Sequence, residues 1–214
     1  MSDDLPIRLP RVLRDGDDDA AVDVLREYFA RPVIKTGHLR TGARWDSWDP
    51  SGRREADADT FTADDLVAVT LLSVQVPAQG AWIMLGDKHA ELDRLLVEVG
   101  PDRELVDEPE PMTPESPARR LETALREVHG IGRTIASKLI ARKRPRLYPI
   151  YDDVVGRQLG TKVAHLEPVR LSLRHRDGEL HRRLVDLRQR ADLPESVPAV
   201  RVLDVLAWMQ GKGY

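Results

Sequence analysis

The chain has no cysteine among its 214 residues, which excludes a disulfide framework, a thiolate nucleophile and any cysteine-bound zinc or iron–sulfur centre. Aromatic residues are scarce, at 5%. No apolar run approaches the roughly 18 residues that a membrane-crossing helix needs. The opening Met1-Ser2-Asp3-Asp4 is acidic, the reverse of a secretory signal, so a cytoplasmic protein without membrane association is expected. No stretch alternates apolar and polar residues well enough to predict a strand. Hydrophobic residues still make up 41% of the chain, enough for one substantial core or two small ones.

The net charge is −3, which argues at first against a nucleic-acid partner, but the charge is unevenly placed. Residues 1–20 hold six acids against three arginines, and residues 98–115 seven acids against one. Residues 133–190 reverse this, with fifteen Lys or Arg against six acids. A basic face suited to a polyanion is therefore expected in that part of the chain.

Taken in order, residues 1–19 are polar and acidic and read as a mobile or loosely packed lead-in. An N-terminal helical region follows over 20–100. In it Ala21, Val24, Leu25, Tyr28 and Phe29 mark a first helix, ended by Pro32. Residues 31–59 show no period. There Trp45 and Trp48 are read as pinning a long loop to the core, the alternative being a nucleic-acid-facing loop with His38, Arg40 and Arg44. Thr62 caps a helix running through Leu66 to Val76 that is apolar on nearly all sides and so expected to be central. One or two helices over 81–97 follow, with Trp82, Leu92, Leu96 and Val97 as core candidates. Residues 101–117 read as an acidic, proline-rich connector. Beyond it, residues 118–214 hold the hairpin described next, two basic helical stretches over 166–173 and 180–193, and a closing helix over 200–209.

The most informative stretch is 121–157. Leu121, Leu125 and Val128 recur at helical spacing until His129-Gly130-Ile131-Gly132 breaks the pattern with two glycines able to take positive φ. A second helix then begins at Arg133. A glycine turn opening into a helix leaves free N–H groups at the positive end of a helix dipole, where a phosphate can bind. Six cations lie between 133 and 146 with no acid among them. Of these Arg133, Lys138, Arg142, Lys143 and Arg144 are expected to contact phosphates, with Thr134 in the first turn. An Asp-Asp pair, Asp152 and Asp153, opens the next apolar helix.

Val128, Gly130, Ile131, Gly132 and Ala136 resemble the helix-hairpin-helix motif. Tyr148 to Arg157 resembles the segment that carries the catalytic Asp in base-excision DNA glycosylases of that superfamily, Asp152 and Arg157 standing in the matching places. Leu66 to Gln75 is similar to the early core helix of the same enzymes, which ends in Leu-Ser-x-Gln. These motifs cover less than a third of the chain. The signatures at Lys138 to Pro145 and Asp152 to Val155 also resemble an uncharacterised actinobacterial family, which supplies no activity.

The resemblance implies an all-α, two-lobed helical fold with the hairpin and Asp152 lining a cleft. It implies sequence-independent DNA binding through the phosphate backbone, eversion of a base with Gln75 filling the gap, and Asp152 stabilising the cationic sugar or activating a water. Lyase-competent members carry a lysine where this chain has Thr134, so a monofunctional glycosylase is implied. No cofactor and no metal are expected, and the oligomeric state is open. Two other readings stand beside the enzyme: a non-catalytic nucleic-acid-binding module, in which Asp152 is only a helix cap, and a protein-interaction scaffold that has kept the fold.

Overall fold

The computed structural model describes residues 5–214. Within them the chain is all-helical: α1 (Arg11–Arg14), α2 (Asp18–Phe29), α3 (Ala63–Ala68), α4 (Ala78–Leu85), α5 (His89–Val99), α6 (Pro117–Arg126), α7 (Arg133–Lys143), α8 (Asp153–Leu159), α9 (Leu166–Arg190) and α10 (Ala199–Gly211). Single 3-10 turns at Thr41–Arg44, Val69–Leu72 and Leu105–Asp107 join them. Buried apolar side chains from Ile7 in the N-terminal segment to Met209 in α10 form one cluster. Among the described residues no helix is long and apolar enough to cross a membrane.

Several elements follow the hydrophobic pattern directly. In α9 the backbone leaves helical geometry over His175, Arg176, Asp177 and Gly178, which separates the two stretches expected over 166–173 and 180–193. The second of these buries Leu180, Leu184 and Leu187. The lead-in behaves differently from expectation over its described part. Ile7, Leu9 and Leu13 are buried and Arg8 N–H bonds the Leu159 carbonyl at 2.9 Å, so the apolar residues between the acids decide its fate; residues 1–4 of that lead-in lie outside the described residues. The helix expected through Val76 is also shorter. After α3 it tightens into a 3-10 turn and stops at Ser73, whose φ is +60°. Trp82 is 75% exposed and Val97 is exposed as well, so neither belongs to the core. The connector carries a 3-10 turn and is fastened down, with Leu105 N–H on the Arg146 carbonyl (3.1 Å) and Met112 N–H on Glu167 Oε2 (2.7 Å).

The largest departure concerns the basic stretch. Lys138, Arg142, Lys143 and Arg144 are only 3%, 2%, 5% and 1% exposed; they do not form a solvated face and cannot meet a phosphate backbone. Their charge is spent on groups that the surrounding loops leave unpaired. Arg142 bonds Asp65 and the Trp48 carbonyl, and Lys143 bonds Asp65 (2.6 Å) and the Asp57 carbonyl (3.0 Å). Arg144 bonds Asp59 and the carbonyls of Gly100, Ala58 (2.7 Å) and Leu96 (3.0 Å). Irregular chain that runs against a core must find donors for its carbonyls. Here three side chains of one helix end supply them and fix the loop over 41–60, with Trp45 buried beneath Arg142 at 5.9 Å. Removing such a side chain leaves several buried acceptors empty, so Arg144→Ala should lower unfolding free energy by about 3–5 kcal/mol in urea titrations. Arg157→Ala, at an exposed site, should change it by less than about 0.5 kcal/mol.

Candidate active site

The connection between α6 and α7 is a tight reversal closed by the Ile131 N–H on the Val128 carbonyl at 3.0 Å. Ile131 is buried and anchors the turn. Gly130 takes φ +78° and lies so close to Pro77 that a Cβ would sit 2.5 Å from the proline Cγ. Both conditions demand glycine. Gly80 of α4 packs equally tightly on the His129 carbonyl, so the 73–77 loop and the hairpin are braced against each other. This puts Gln75, which is exposed, in the loop that abuts the hairpin. Gly132 is the N-cap of α7 with extended backbone. The N–H groups of Gly132, Arg133, Thr134 and Ile135 find no acceptor among the described residues, the first α7 amide to do so being Ala136, on the Gly132 carbonyl. They form the unsatisfied, partly positive end of an eleven-residue helix.

One turn further, α7 organises the segment that carries Asp152. Ser137 Oγ accepts the Tyr151 N–H at 3.0 Å and lies 3.2 Å from the Tyr151 carbonyl. His165 holds the preceding residue: its Nε2 is 3.1 Å from the Ile150 carbonyl and its Nδ1 2.8 Å from Thr161 Oγ1. A carbonyl can only accept, so the proton is on Nε2 and Nδ1 accepts from the threonine. Arg133 lies over the Tyr151 ring, 3.8 Å from its centre, and donates to the Lys162 carbonyl at 2.6 Å. It therefore straps the loop after α8 to the start of α7, a different task from the phosphate contact expected of it.

These restraints aim Asp152 in two directions. Its Oδ1 caps α8 by accepting the Val154 N–H at 2.8 Å. Its Oδ2 lies 3.6 Å from Lys138 Nζ, and the side chain remains 25% exposed. Lys138 Nζ also donates to the Leu72 carbonyl at 2.9 Å. Both residues line a cavity of about 430 Å³ together with Tyr28, Ile150, Arg201, Asp204 and Trp208. Lys138 is thus a cavity residue beside the acid. Burial lowers its ammonium from the ordinary lysine range, and Asp152 opposes that shift. On α10, Arg201 pairs with Asp204 and Asp46 and donates to Tyr28 Oη at 2.9 Å. Burial pushes the Asp204 carboxyl up to about 6, against the pull of Arg201 and Lys138.

Of the residues singled out from sequence, Gly130, Ile131, Gly132, Thr134 and Gln75 gather at the hairpin, and Lys138 and Asp152 meet in the cavity. Arg157 is exposed on α8 and bonds only the Asp153 carbonyl of its own helix, at 3.1 Å. Asp204, Ser137, His165 and Tyr28 were missed. An Arg and an Asp three residues apart in the otherwise apolar closing helix were the available signal for Asp204, because charges there must be buried and paired.

His165 is buried and neutral, its protonation lowered from 6.5 to about 3 by burial, with Arg133 adding to the effect. Unfolding would restore an ordinary imidazole, so protons favour the unfolded chain between these values. Stability should fall as pH drops from about 6.5 towards 3, by up to about 4 kcal/mol from this group. Thermal melts of His165→Gln against the parent should show the slope over that window reduced in the variant.

No curated protein and no solved structure matches the chain. A family model, described as a family of unknown function (DUF6308), matches residues 21–211, a span that takes in the hairpin and every cavity residue named above. The chain belongs to that DUF6308 family.

Proposed function

We propose that the protein binds DNA through the hairpin between α6 and α7 and removes a base from it, as a monofunctional N-glycosylase of the helix-hairpin-helix type. One observation carries the reading: the Asp152 carboxylate, held against Lys138, opens into a cavity that Lys138 of α7 also lines, and the same helix begins with four free amides. Those amides would take a strand phosphate without reading sequence. An everted nucleotide would enter the cavity, the exposed Gln75 filling the gap it leaves. Asp152 would stabilise the oxocarbenium-like sugar or activate water. Thr134 at the position of the lyase lysine supports base release without strand cleavage. Two helical lobes, meeting at the cavity, belong to the same reading.

The burial of Arg142, Lys143 and Arg144 changes the electrostatics of that proposal. Few cations remain near the hairpin, Arg157 and Lys162 among the exposed ones. DNA affinity should therefore depend weakly on salt, with a slope of log K against log salt of roughly −2. A second reading, a binding module without chemistry, is favoured by the fact that Asp152 already has a complete structural task as the cap of α8.

Asp152→Asn separates the two, because asparagine caps a helix as well as aspartate does. Base release would be followed on duplexes carrying a single deoxyuridine, deoxyinosine, 8-oxodeoxyguanosine or 7-methyldeoxyguanosine. The enzymatic reading expects release by the parent from at least one, a loss of 100-fold or more in the variant, and unchanged affinity for the duplex. Binding with no release by the parent would leave the module.

A further inference from the structure

A second carboxylate reaches the cavity. Asp204 of α10 lines it together with Asp152, which enters from the start of α8, and Lys138, which enters from α7. The two acids are differently placed. Asp152 is partly exposed and caps a helix, an arrangement that suits the anion. Asp204 is 6% exposed; its Oδ2 accepts from Arg201, and its Oδ1 accepts no hydrogen bond among the described residues. The groups around Asp204 come from five segments. Arg201 shares its own helix, Lys138 and Asp152 act from α7 and α8, and Tyr28 of α2 and Asp46 share the Arg201 guanidinium with it. Asp46, also buried, draws on the same guanidinium, so Arg201 is divided between two desolvated acids. Two carboxyl groups in one site, one solvated and one dry, are the usual arrangement for dividing the acid and base parts of a reaction.

We infer that Asp204 is the proton donor to the departing base, working with Asp152 as the carboxylate that faces the sugar. The inference rests on the base-releasing reading given above. The Asp204 acid passes its proton to a ring nitrogen of the base while the bond from C1′ to the base breaks and its electron pair leaves with the base. Water adds to C1′ and gives its proton to Asp152. Lys138, 3.6 Å from Asp152 and lining the same cavity as Asp204, then passes one proton to Asp204 through the cavity water and takes the proton from Asp152, restoring the starting state. One water is consumed, and free base and a C1′-hydroxyl sugar are the products. Burial, which raises the Asp204 carboxyl to about 6, keeps a useful share of the acid present near neutral pH, and the rate should fall as pH rises through that value.

The test compares leaving groups. Uracil, hypoxanthine and 8-oxoguanine depart more easily when protonated, whereas 7-methylguanine already carries positive charge in the nucleotide. Single-turnover release from the four duplexes would be measured for the parent, Asp204→Asn and Asp204→Glu between pH 4.5 and 8.5. Asp204→Asn should slow release of a neutral base by about 100-fold or more and lose the fall above pH 6, while release of 7-methylguanine stays within about threefold. Equal losses on both kinds of base, or a variant that keeps the parent profile, would overturn the inference while leaving base release itself intact. If the parent releases neutral bases only, the profile alone decides between these outcomes. Should Asp204→Asn not fold, Asp204→Glu takes its place: a displaced alkaline limb supports the donor role and an unmoved one overturns it. A parent that releases no base from any duplex overturns both this inference and the reading beneath it.

Discussion

Helix α7 runs through the interior and, with its C-cap Arg144, carries four buried cations, and most of the architecture can be understood as the answer to that constraint. A buried ammonium or guanidinium costs several kcal/mol unless it is paired and fully hydrogen-bonded. The loop over 41–60, the start of α3 and the segment before the connector supply those partners, mostly as main-chain carbonyls. Carbonyls do this well because an irregular loop has them to spare. In return the loop is tied to the end of α7, with Asp65 bridging Arg142 and Lys143 at the centre. Lys138 belongs to the same set but sits at the other end of the helix, where its partners are the Leu72 carbonyl and Asp152. The cation that completes the core and the acid that opens on the cavity are thus one contact apart.

That arrangement separates two tasks that the sequence had combined. Positive charge near the hairpin does not reside on the side chains of the basic run. It resides in the free amides at the start of α7 and in the few exposed cations beyond α8. The side chains of the run act inward, on stability. Arg133 occupies a middle position, stacked on Tyr151 and bonded to the Lys162 carbonyl, so that it orders the surface without being its main charge. The segment from Ile150 to Asp152 is held from three sides, by His165, Ser137 and Arg133. These contacts hold the backbone from which the Asp152 carboxylate reaches Lys138.

How much of this could be read in advance depends on what each signal encodes. Helical spacing of apolar residues located the two halves of α9, the closing helix and the hairpin, because burial of one face is what that spacing records. Gly130 was legible for a local reason too, since it needs positive φ and close approach to Pro77; Gly132, with φ −86°, does not take the positive φ expected of it. Charge was misleading. A run such as Arg142-Lys143-Arg144 is normally solvated, and only the positions of distant carbonyls, which sequence does not show, reveal that it is buried. Ser73 stopped a helix that composition would have continued. His165 was invisible for a related reason, since its meaning comes from Ile150 and Thr161, and Asp204 showed only its spacing from Arg201 on the closing helix, not the Lys138 and Asp152 that face it from other elements.

In the proposed function a strand phosphate would sit on the first amides of α7 while a nucleotide would enter the cavity at Asp152 and Lys138. That placement is tested most directly by following backbone amide resonances while the protein is titrated with a duplex containing one stable abasic-site analogue. The account predicts saturable shifts concentrated at Gly132 to Ile135, at Gln75 and at Asp152. Shifts confined to other surfaces, or none at low salt, would contradict it.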